Sequence, residues 1–500
     1  MSSIRTSALS LTALFALLTA GCPAMSMDEY GYGGRGGGDD DDDWGDEENP
    51  PPDEAPEDGV DDVCVGARDE PMTLFMSADD SNSQASPVLT RHLIDAGSRA
   101  PGQPAVHEFL NYYQFDFAPA APGEVRIDAQ MRPVEGEEGK YSMLVGAVAE
   151  ERTREQRADL NLVLSIDRSC SMGGVPIQLA KESMEQIAAS LREGDLVSIV
   201  EWSAEAATIL DGHVVEGASD PLLVQTIRGI REGGGTDLHN GLVSAYEVAA
   251  SHASPERLSR VVMLSDGGAN LGQTSAAIIG AAADDSESAG TYLVGVGASE
   301  PGAYRHDLMD DVTDMGKGSY IYIDEPGEAE RQFRGSRFIS NLDVAALDVR
   351  LAVEIPAGFV IDEFHGEEIS ENPDEVEPQH LAPNDSMQYH FTLQDCPGAP
   401  ADRDTRFTFT ITWTDPATRE ERAEEHSLLL EDLLAGDVRQ VVKADAIVAY
   451  AESLPRGNRV SADDQAMDVA LLEVQAAVEA FPADADLAEV LDLLQTVRSR

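Results

Sequence analysis

Residues 162–172, LVLSIDRSCSM, decide the fold, because a run that is apolar except for one serine ends there in a cluster of oxygen-bearing side chains. Two further stretches have related endings: GGGTD at residues 233–237 and VVMLSDGG at residues 261–268. Short runs that are apolar throughout, as at residues 162–164 and 261–264, are typical of buried parallel strands. The pattern therefore predicts an α/β unit with a parallel sheet in the middle of the chain.

The polar residues at these endings form a candidate metal site. Asp167, Ser169 and Ser171 follow the first run, Thr236 follows three glycines, and Asp266 follows the last run. In open α/β sheets ligands bind beyond the carboxyl ends of the strands, so we expect these side chains to meet there. Two carboxylates and three hydroxyls are hard oxygen donors, which favour Mg²⁺, with Ca²⁺ or Mn²⁺ as alternatives, over zinc or copper. Each cluster alone would be better explained as a helix cap or a turn, but the three together, in this order, favour a cation.

The same residues carry a family resemblance. The D-x-S-x-S pattern of Asp167, Ser169 and Ser171, followed by Thr236 and Asp266, resembles the metal-ion-dependent adhesion site (MIDAS) of von Willebrand factor type A (VWFA) domains. The likeness covers roughly residues 160–340. Residues 74–117 and the stretch KADAIVAYAESL are similar to bacterial exported type A proteins of the YfbK kind.

The resemblance implies roles for these side chains. It gives Ser169, Ser171 and Thr236 as direct or water-mediated ligands, and it lets Asp167 and Asp266 exchange between direct and water-mediated binding. This chain departs from the family pattern inside the metal loop, where Arg168 is a bulky cation and Cys170 replaces the usual glycine or other small residue.

The N-terminus predicts export and a lipid anchor. Residues 1–22 have the pattern of a lipoprotein signal peptide, with Arg5 before an apolar run that is too short to serve as a stable membrane span. The run ends in LTAGC, which resembles a bacterial lipobox whose Cys22 becomes the lipidated first residue. Simple secretion stays open, because Thr19 stands where Leu is common. We expect a lipid-anchored protein of the bacterial cell envelope, on the outer membrane, at its periplasmic or its surface face.

The charge of the chain excludes some classes of partner, and its cysteines predict a disulfide. The formal net charge of −59 disfavours nucleic acid and anionic lipid head groups as partners. Residues 23–71 are rich in Gly, Pro and acidic residues and predict a disordered tether. In an oxidising compartment Cys64 and Cys396 favour a disulfide over two unpaired surface thiols.

Hydrophobic periodicity divides the remaining chain into four regions. Residues 158–340 alternate strands and helices, which predicts a doubly wound, mostly parallel, Rossmann-like sheet. Residues 341–435 alternate polar and apolar positions and predict a β-sandwich-like region. We expect the strands of an N-terminal α+β region, residues 72–157, to pair with it, so that β-rich structure brackets the central unit. Residues 436–500 predict a C-terminal helical region.

These features favour a binding protein over an enzyme. The chain has no H-E-x-x-H, G-x-S-x-G, P-loop or Rossmann glycine pattern, and His239 is better explained as a helix-surface or packed histidine than as a general base. Our leading hypothesis is an envelope-anchored lipoprotein whose cation captures an Asp or Glu of a protein partner. Two alternatives stay open: a scaffold protein with a purely structural metal, and a Mg²⁺-dependent hydrolase.

Overall fold

The structure is a computed structural model that describes residues 64, 68–78, 81, 83–97, 105–267, 291–299, 309, 312–313, 319–396, 404–454 and 464–499. Its strands are β1 (Met72–Ser77), β2 (Arg126–Pro133), β3 (Lys140–Val148), β4 (Asp159–Asp167), β5 (Leu196–Trp202), β6 (Ala206–Val214), β7 (Arg257–Ser265), β8 (Thr291–Ala298), β9 (Ser319–Ile323), β10 (Ala346–Ile355), β11 (Phe359–Phe364), β12 (Glu368–Ser370), β13 (Gln379–Leu381), β14 (Ser386–Asp395), β15 (Arg406–Thr414) and β16 (Glu421–Leu429). Its α-helices are α1 (Ala85–Asp95), α2 (Val106–Tyr112), α3 (Val175–Ser190), α4 (Pro221–Gly229), α5 (Leu238–Ser251), α6 (Pro326–Phe333), α7 (Gly335–Leu342), α8 (Leu430–Ala435), α9 (Arg439–Ser453), α10 (Asp464–Ala480) and α11 (Ala485–Arg498).

The central unit is built on a six-stranded sheet in the order β6-β5-β4-β7-β8-β9. All neighbouring strands run parallel except β5 and β6, which pair antiparallel at one edge. From β4 the chain winds outward through β5 and β6, then returns to β7 on the other side. The direction of winding therefore reverses between β4 and β7, which is where ligands of such sheets bind. The doubly wound, mostly parallel fold predicted from the sequence is confirmed.

Local sequence explains where the helices begin and end. Asp220 caps α4 by accepting hydrogen bonds from the backbone N–H groups of Leu222 and Leu223, at 3.0 and 3.2 Å. Asp237 caps α5 in the same way.

The pattern at residues 327–340 predicts one helix, but the structure has two, α6 and α7. Arg334 between them is extended, with φ −122° and ψ 158°, and α7 then begins at a glycine.

Strands from both sides of the central unit build two antiparallel sheets that face each other. One has the order β12-β1-β10-β15-β16, with β13 also paired to β10, and the other has the order β11-β14-β3-β2. Their facing sides share one apolar core, which includes Phe391, Phe407 and Phe409. A disulfide joins Cys64 to Cys396, directly after β14, with the Cα atoms 5.6 Å apart. The β-rich domain that brackets the central unit is thus assembled from the segments at 72–157 and 341–435.

The C-terminal helices α9, α10 and α11 complete the molecule. They pack with α1 and α2, and their apolar side chains continue into the core on one face of the central sheet, for example from Tyr450 through Phe109. Helices α3, α4, α6 and α7 cover the opposite face. Helices therefore enclose both faces of the sheet, which explains why β4 is buried along nearly its whole length.

Within the described ranges, no helix is both long enough and apolar enough to cross a membrane. The predicted signal peptide at 1–22, the lipidation site Cys22 and nearly all of the predicted tether at 23–71 lie outside the described residues.

Candidate metal centre

The five predicted site residues lie at the end of the central sheet where its parallel strands have their carboxyl ends. Asp167 is the last residue of β4, and Ser169 and Ser171 belong to the short turn that follows it. Asp266 comes directly after β7, which pairs in parallel with β4 so that Ile166 lies opposite Leu264. Thr236 directly precedes Asp237, the residue that caps α5. The two aspartates therefore leave adjacent strands at the same end.

Hydrogen bonds organise the side chains around Asp167. Its Oδ1 accepts a hydrogen bond from the backbone N–H of Ser169 at 2.8 Å, and its Oδ2 accepts one from the hydroxyl of Ser265 at 2.9 Å. The hydroxyl oxygens of Ser169 and Ser171 are 2.9 Å apart. The carboxylate is thus fixed in orientation beside two neighbouring hydroxyls.

The glycine-rich loop, residues 233–235, contacts the turn after β4 through backbone hydrogen bonds. The N–H of Cys170 donates to the carbonyl oxygen of Gly234 at 3.1 Å, and the N–H of Gly233 donates to the carbonyl oxygen of Arg168 at 2.6 Å. Gly234 has a φ of +99°, and a Cβ there would lie 2.8 Å from the hydroxyl oxygen of Ser203. Only glycine fits this close approach without strain. Thr236, two residues further along the chain, is buried.

The site concentrates negative charge in a dry environment. Asp167 is fully shielded from solvent, and Asp266 is 6% exposed. Burial raises the pKa of Asp167 to about 7; the charge of Asp266 raises it too, and hydrogen bonds from Ser169 and Ser265 oppose the shift. Burying two interacting carboxylates is unfavourable unless an opposite charge compensates them. A divalent cation would provide that compensation.

The donor set fits a hard divalent cation. Carboxylate and hydroxyl oxygens are the ligands that Mg²⁺, Ca²⁺ and Mn²⁺ prefer, and Asp167, Ser169, Ser171, Thr236 and Asp266 would hold the ion. Across the described residues, no group of three or more His, Cys, Asp or Glu is arranged to bind a metal. The mixed carboxylate and hydroxyl cluster at the end of β4 and β7 is therefore the candidate metal centre.

Two side chains, Ser265 and Arg168, make contacts at the site that could not be predicted by motif spacing. Ser265 lies inside the stretch VVMLSDGG, but only the parallel register of β7 with β4 shows that its hydroxyl reaches Asp167. Arg168 reaches outward: its Nη1 donates to the carbonyl oxygen of Gly233 at 3.1 Å, and its Nε lies 3.3 Å from Oε1 of Glu201.

Comparison with known proteins agrees with this fold. Residues 162–269 match the family model of the von Willebrand factor type A domain. The chain is 26% identical over 304 residues to the uncharacterized protein YfbK of Escherichia coli, an alignment that covers 58% of this chain and 51% of YfbK. It is 31% identical over 121 residues to mouse inter-alpha-trypsin inhibitor heavy chain H3, covering 23% of this chain and 14% of that protein.

The resemblance to type A proteins of the YfbK kind is confirmed, and the chain spans about half the length of YfbK. Among solved structures, a von Willebrand factor type A protein from Catenulispora acidiphila is 17% identical and covers 77% of this chain and 90% of its own, with a TM-score of 0.43.

Proposed function

We propose that the chain binds a protein partner through a divalent cation held by Asp167, Ser169, Ser171, Thr236 and Asp266. The observation that supports this most is the pair of buried carboxylates at adjacent strand ends, one of which is oriented beside two serine hydroxyls. When bound, the cation, for which Mg²⁺ is our first choice, supplies an open coordination position that attracts an Asp or Glu of the partner.

The negative charge of the chain supports this proposal, because it would direct an acidic partner to the metal site. With a net charge of −59, the protein repels an acidic partner over most of its surface. A cation at the end of β4 inverts the field locally, so that a carboxylate is attracted there. We further propose that the site is not catalytic, because its carboxylates and hydroxyls serve to hold and orient the ion.

A metal-binding measurement is the first test of the proposal. We expect wild-type protein to bind Mg²⁺ in calorimetry and Asp266→Ala to lose that binding. Asp211→Ala removes an exposed acid of the same domain, paired with His252, and should leave it unchanged. Capture of an envelope protein should then require Mg²⁺ and should be abolished by EDTA and by Asp167→Ala.

The alternatives make different predictions in the same experiments. Capture that is unchanged in EDTA contradicts cation-mediated binding. A large fall of Tm in EDTA without any captured partner indicates a structural metal in a scaffold protein. Mg²⁺-dependent turnover of generic phosphate or ester substrates that disappears in Asp266→Ala indicates a hydrolase.

We also propose that a lipid on Cys22 anchors the chain in the bacterial envelope, at the outer membrane, with the metal site in the periplasm or at the surface. Metabolic labelling with an alkyne fatty acid should mark the wild-type protein and not Cys22→Ala. Equal labelling of the two proteins would contradict the anchor and leave the metal site unaffected.

A further inference from the structure

We infer that Arg168 is a second binding group beside the cation, and that the site selects a partner segment with two carboxylates, one for the ion and one for the guanidinium. This inference rests on the proposed function, because it assigns the chemistry of the partner at the same site. Arg168 would then determine specificity without being a metal ligand.

The first observation that supports this inference is the position of the Arg168 guanidinium. Arg168 stands between the site residues Asp167 and Ser169. Its Nη1 donates to the carbonyl oxygen of Gly233 in the glycine-rich loop, and its Nε lies beside Glu201 in β5. These two contacts hold the guanidinium on the rim of the metal site. The side chain is 30% exposed, so a docked partner can reach it.

The guanidinium also keeps unused hydrogen-bonding capacity. Its Nε is shielded from solvent and makes an ion pair with Glu201, but within the described residues it has no hydrogen bond of good geometry. Its Nη2 is neither shielded in this way nor hydrogen-bonded to a described residue. A guanidinium presents five N–H donors in a planar fork, and a carboxylate can accept two of them in parallel.

The pairing with Glu201 is weak enough to give way to a partner. Both side chains are partly exposed, at 30% and 21%, and exposed ion pairs contribute little because water and salt screen them. A docked segment excludes that water, and an Arg–carboxylate pair in a drier contact is stronger and more geometrically selective. A segment with only one carboxylate, used by the cation, would leave Arg168 without this gain.

Small carboxylates test the inference directly. Acetate and propionate carry one carboxylate, whereas malonate and succinate carry two. Each is titrated into the Mg²⁺-loaded protein at a fixed concentration of free Mg²⁺. We expect wild-type protein to bind a dicarboxylate roughly 3- to 10-fold more tightly than acetate, as one additional charged hydrogen-bonded contact provides. Arg168→Met should remove this preference and leave acetate binding unchanged.

A second variant separates recognition from loop support. Glu201→Gln removes the competing carboxylate, so it should strengthen dicarboxylate binding and not acetate binding, an effect that a merely structural Arg168 would not give. In ¹⁵N NMR, the Nε–H signal of Arg168, assigned by its loss in Arg168→Met, should move with succinate and not with acetate. Arg498→Met and Asp468→Asn are matched controls, since they disrupt an exposed ion pair of 2.9 Å on the C-terminal helices.

The outcomes distinguish the two proposals. Equal affinity for acetate and succinate, or an equal loss of both in Arg168→Met, overturns the role of Arg168 while cation-mediated carboxylate binding stands. If no carboxylate binds in a Mg²⁺-dependent manner, the proposed function itself is overturned and this inference with it.

Discussion

Ser265 shows how a residue outside the ligand set can control a metal site. Its hydroxyl donates to Oδ2 of Asp167 at 2.9 Å and accepts a hydrogen bond from the N–H of Gly267 at 3.1 Å. We expect Ser265→Ala to lower Mg²⁺ affinity by about 10-fold, because partners that orient a ligand typically matter by that amount. Calorimetry at fixed pH measures the change.

The control for Ser265→Ala is Ser183→Ala, which removes another buried hydroxyl, one that bonds to the carbonyl oxygen of Leu179 inside α3. Unchanged Mg²⁺ affinity in Ser265→Ala would show that Asp167 does not depend on this hydrogen bond to hold the ion.

Asp385 is a half-buried acid whose ionisation opposes folding. Its Oδ2 is shielded from solvent and has no hydrogen-bond partner among the described residues. Burial raises the pKa of Asp385 to about 7, although the charge of Arg337 and the N–H of Ser386 act against the shift. Because the folded-state pKa lies above the unfolded value, the stability it contributes is fully present below about pH 4 and is lost as the pH rises through about 7.

Asp385→Asn removes this pH-dependent loss. We expect the variant to be more stable than wild type by about 1–2 kcal/mol at pH 8, and the difference to shrink toward pH 4. Urea unfolding at pH 4, 6 and 8 measures it, with Asp211→Asn as an exposed control. A difference that does not vary with pH would contradict the role of ionisation.

The sequence could place the aspartates and hydroxyls of the site at one edge of a sheet, because each follows a recognisable strand end or glycine run. It could not reveal that Arg168 contacts Glu201. Glu201 is the next-to-last residue of β5, and its distance from Arg168 depends on the parallel register of β4 and β5 and on side-chain torsions.

At the scale of elements, alternation in the sequence predicts most sandwich strands. The patterns LDVRLAVEIP, SMQYHFTLQDC and RFTFTITWTDP correspond to β10, β14 and β15. The edge strand β16 escapes this reasoning, because its residues alternate only between exposed and half-buried and are mostly polar. Only its antiparallel pairing with β15 in the structure identifies this segment as a strand, because it has no apolar face.

Asp445 attaches helix α9 to the sandwich. Its carboxylate accepts hydrogen bonds from Nε2 of His390 at 2.7 Å, from the hydroxyl of Ser142 at 2.5 Å and from Nε of Arg132 at 2.5 Å. These donors come from β14, β3 and β2. Burial alone would raise the pKa of Asp445, but the hydrogen bond and charge of His390, with Arg132, hold it below its usual value.

We expect Asp445→Ala to destabilise the protein by about 3–5 kcal/mol, because it leaves buried donors and a cation without their partner. Since the folded-state pKa is lowered, the contribution of Asp445 is present above about pH 4 and is lost as the pH falls further. Urea unfolding at pH 7 and pH 3 should therefore show a smaller difference between variant and wild type at the lower pH. Asp468→Ala removes an exposed acid as the control, and a loss under 1 kcal/mol at pH 7 would refute the attachment.

At the scale of the whole molecule, periodicity shows which face of a helix is buried but not what buries it. The amphipathic patterns of α10 and α11 suit a helical pair, yet the structure joins their apolar core to α1, α2 and one face of the central sheet. Likewise, β1 lies far from β10 along the chain and pairs with it in the same sheet. Such long-range partners depend on the complete packing arrangement.

Arg91 connects three of these parts. Its side chain is only 16% exposed and makes ion pairs with Asp324 after β9 at 3.0 Å, with Glu328 of α6 at 2.9 Å and with Glu489 of α11 at 3.5 Å. Its Nη1 also donates to the hydroxyl of Tyr112 at 2.8 Å. Helix α1 thus carries one cation that neutralises acids of the central unit and of the C-terminal helices.

Arg91→Met should uncouple the C-terminal helices from the central unit. Removing the cation of this largely buried network costs about 3–5 kcal/mol, since the carboxylates of Asp324 and Glu328 lose their ion-pair partner. We expect one calorimetric transition for wild type, and for the variant a separate transition at lower temperature with faster proteolysis in residues 436–499. Arg439→Met, which removes an exposed arginine paired with Asp437, should keep the single transition. A single transition at the wild-type Tm in Arg91→Met would mean that the connections left in place, the shared apolar core and the ion pairs of Arg331 with Asp486 and Glu489, are enough to couple the two units.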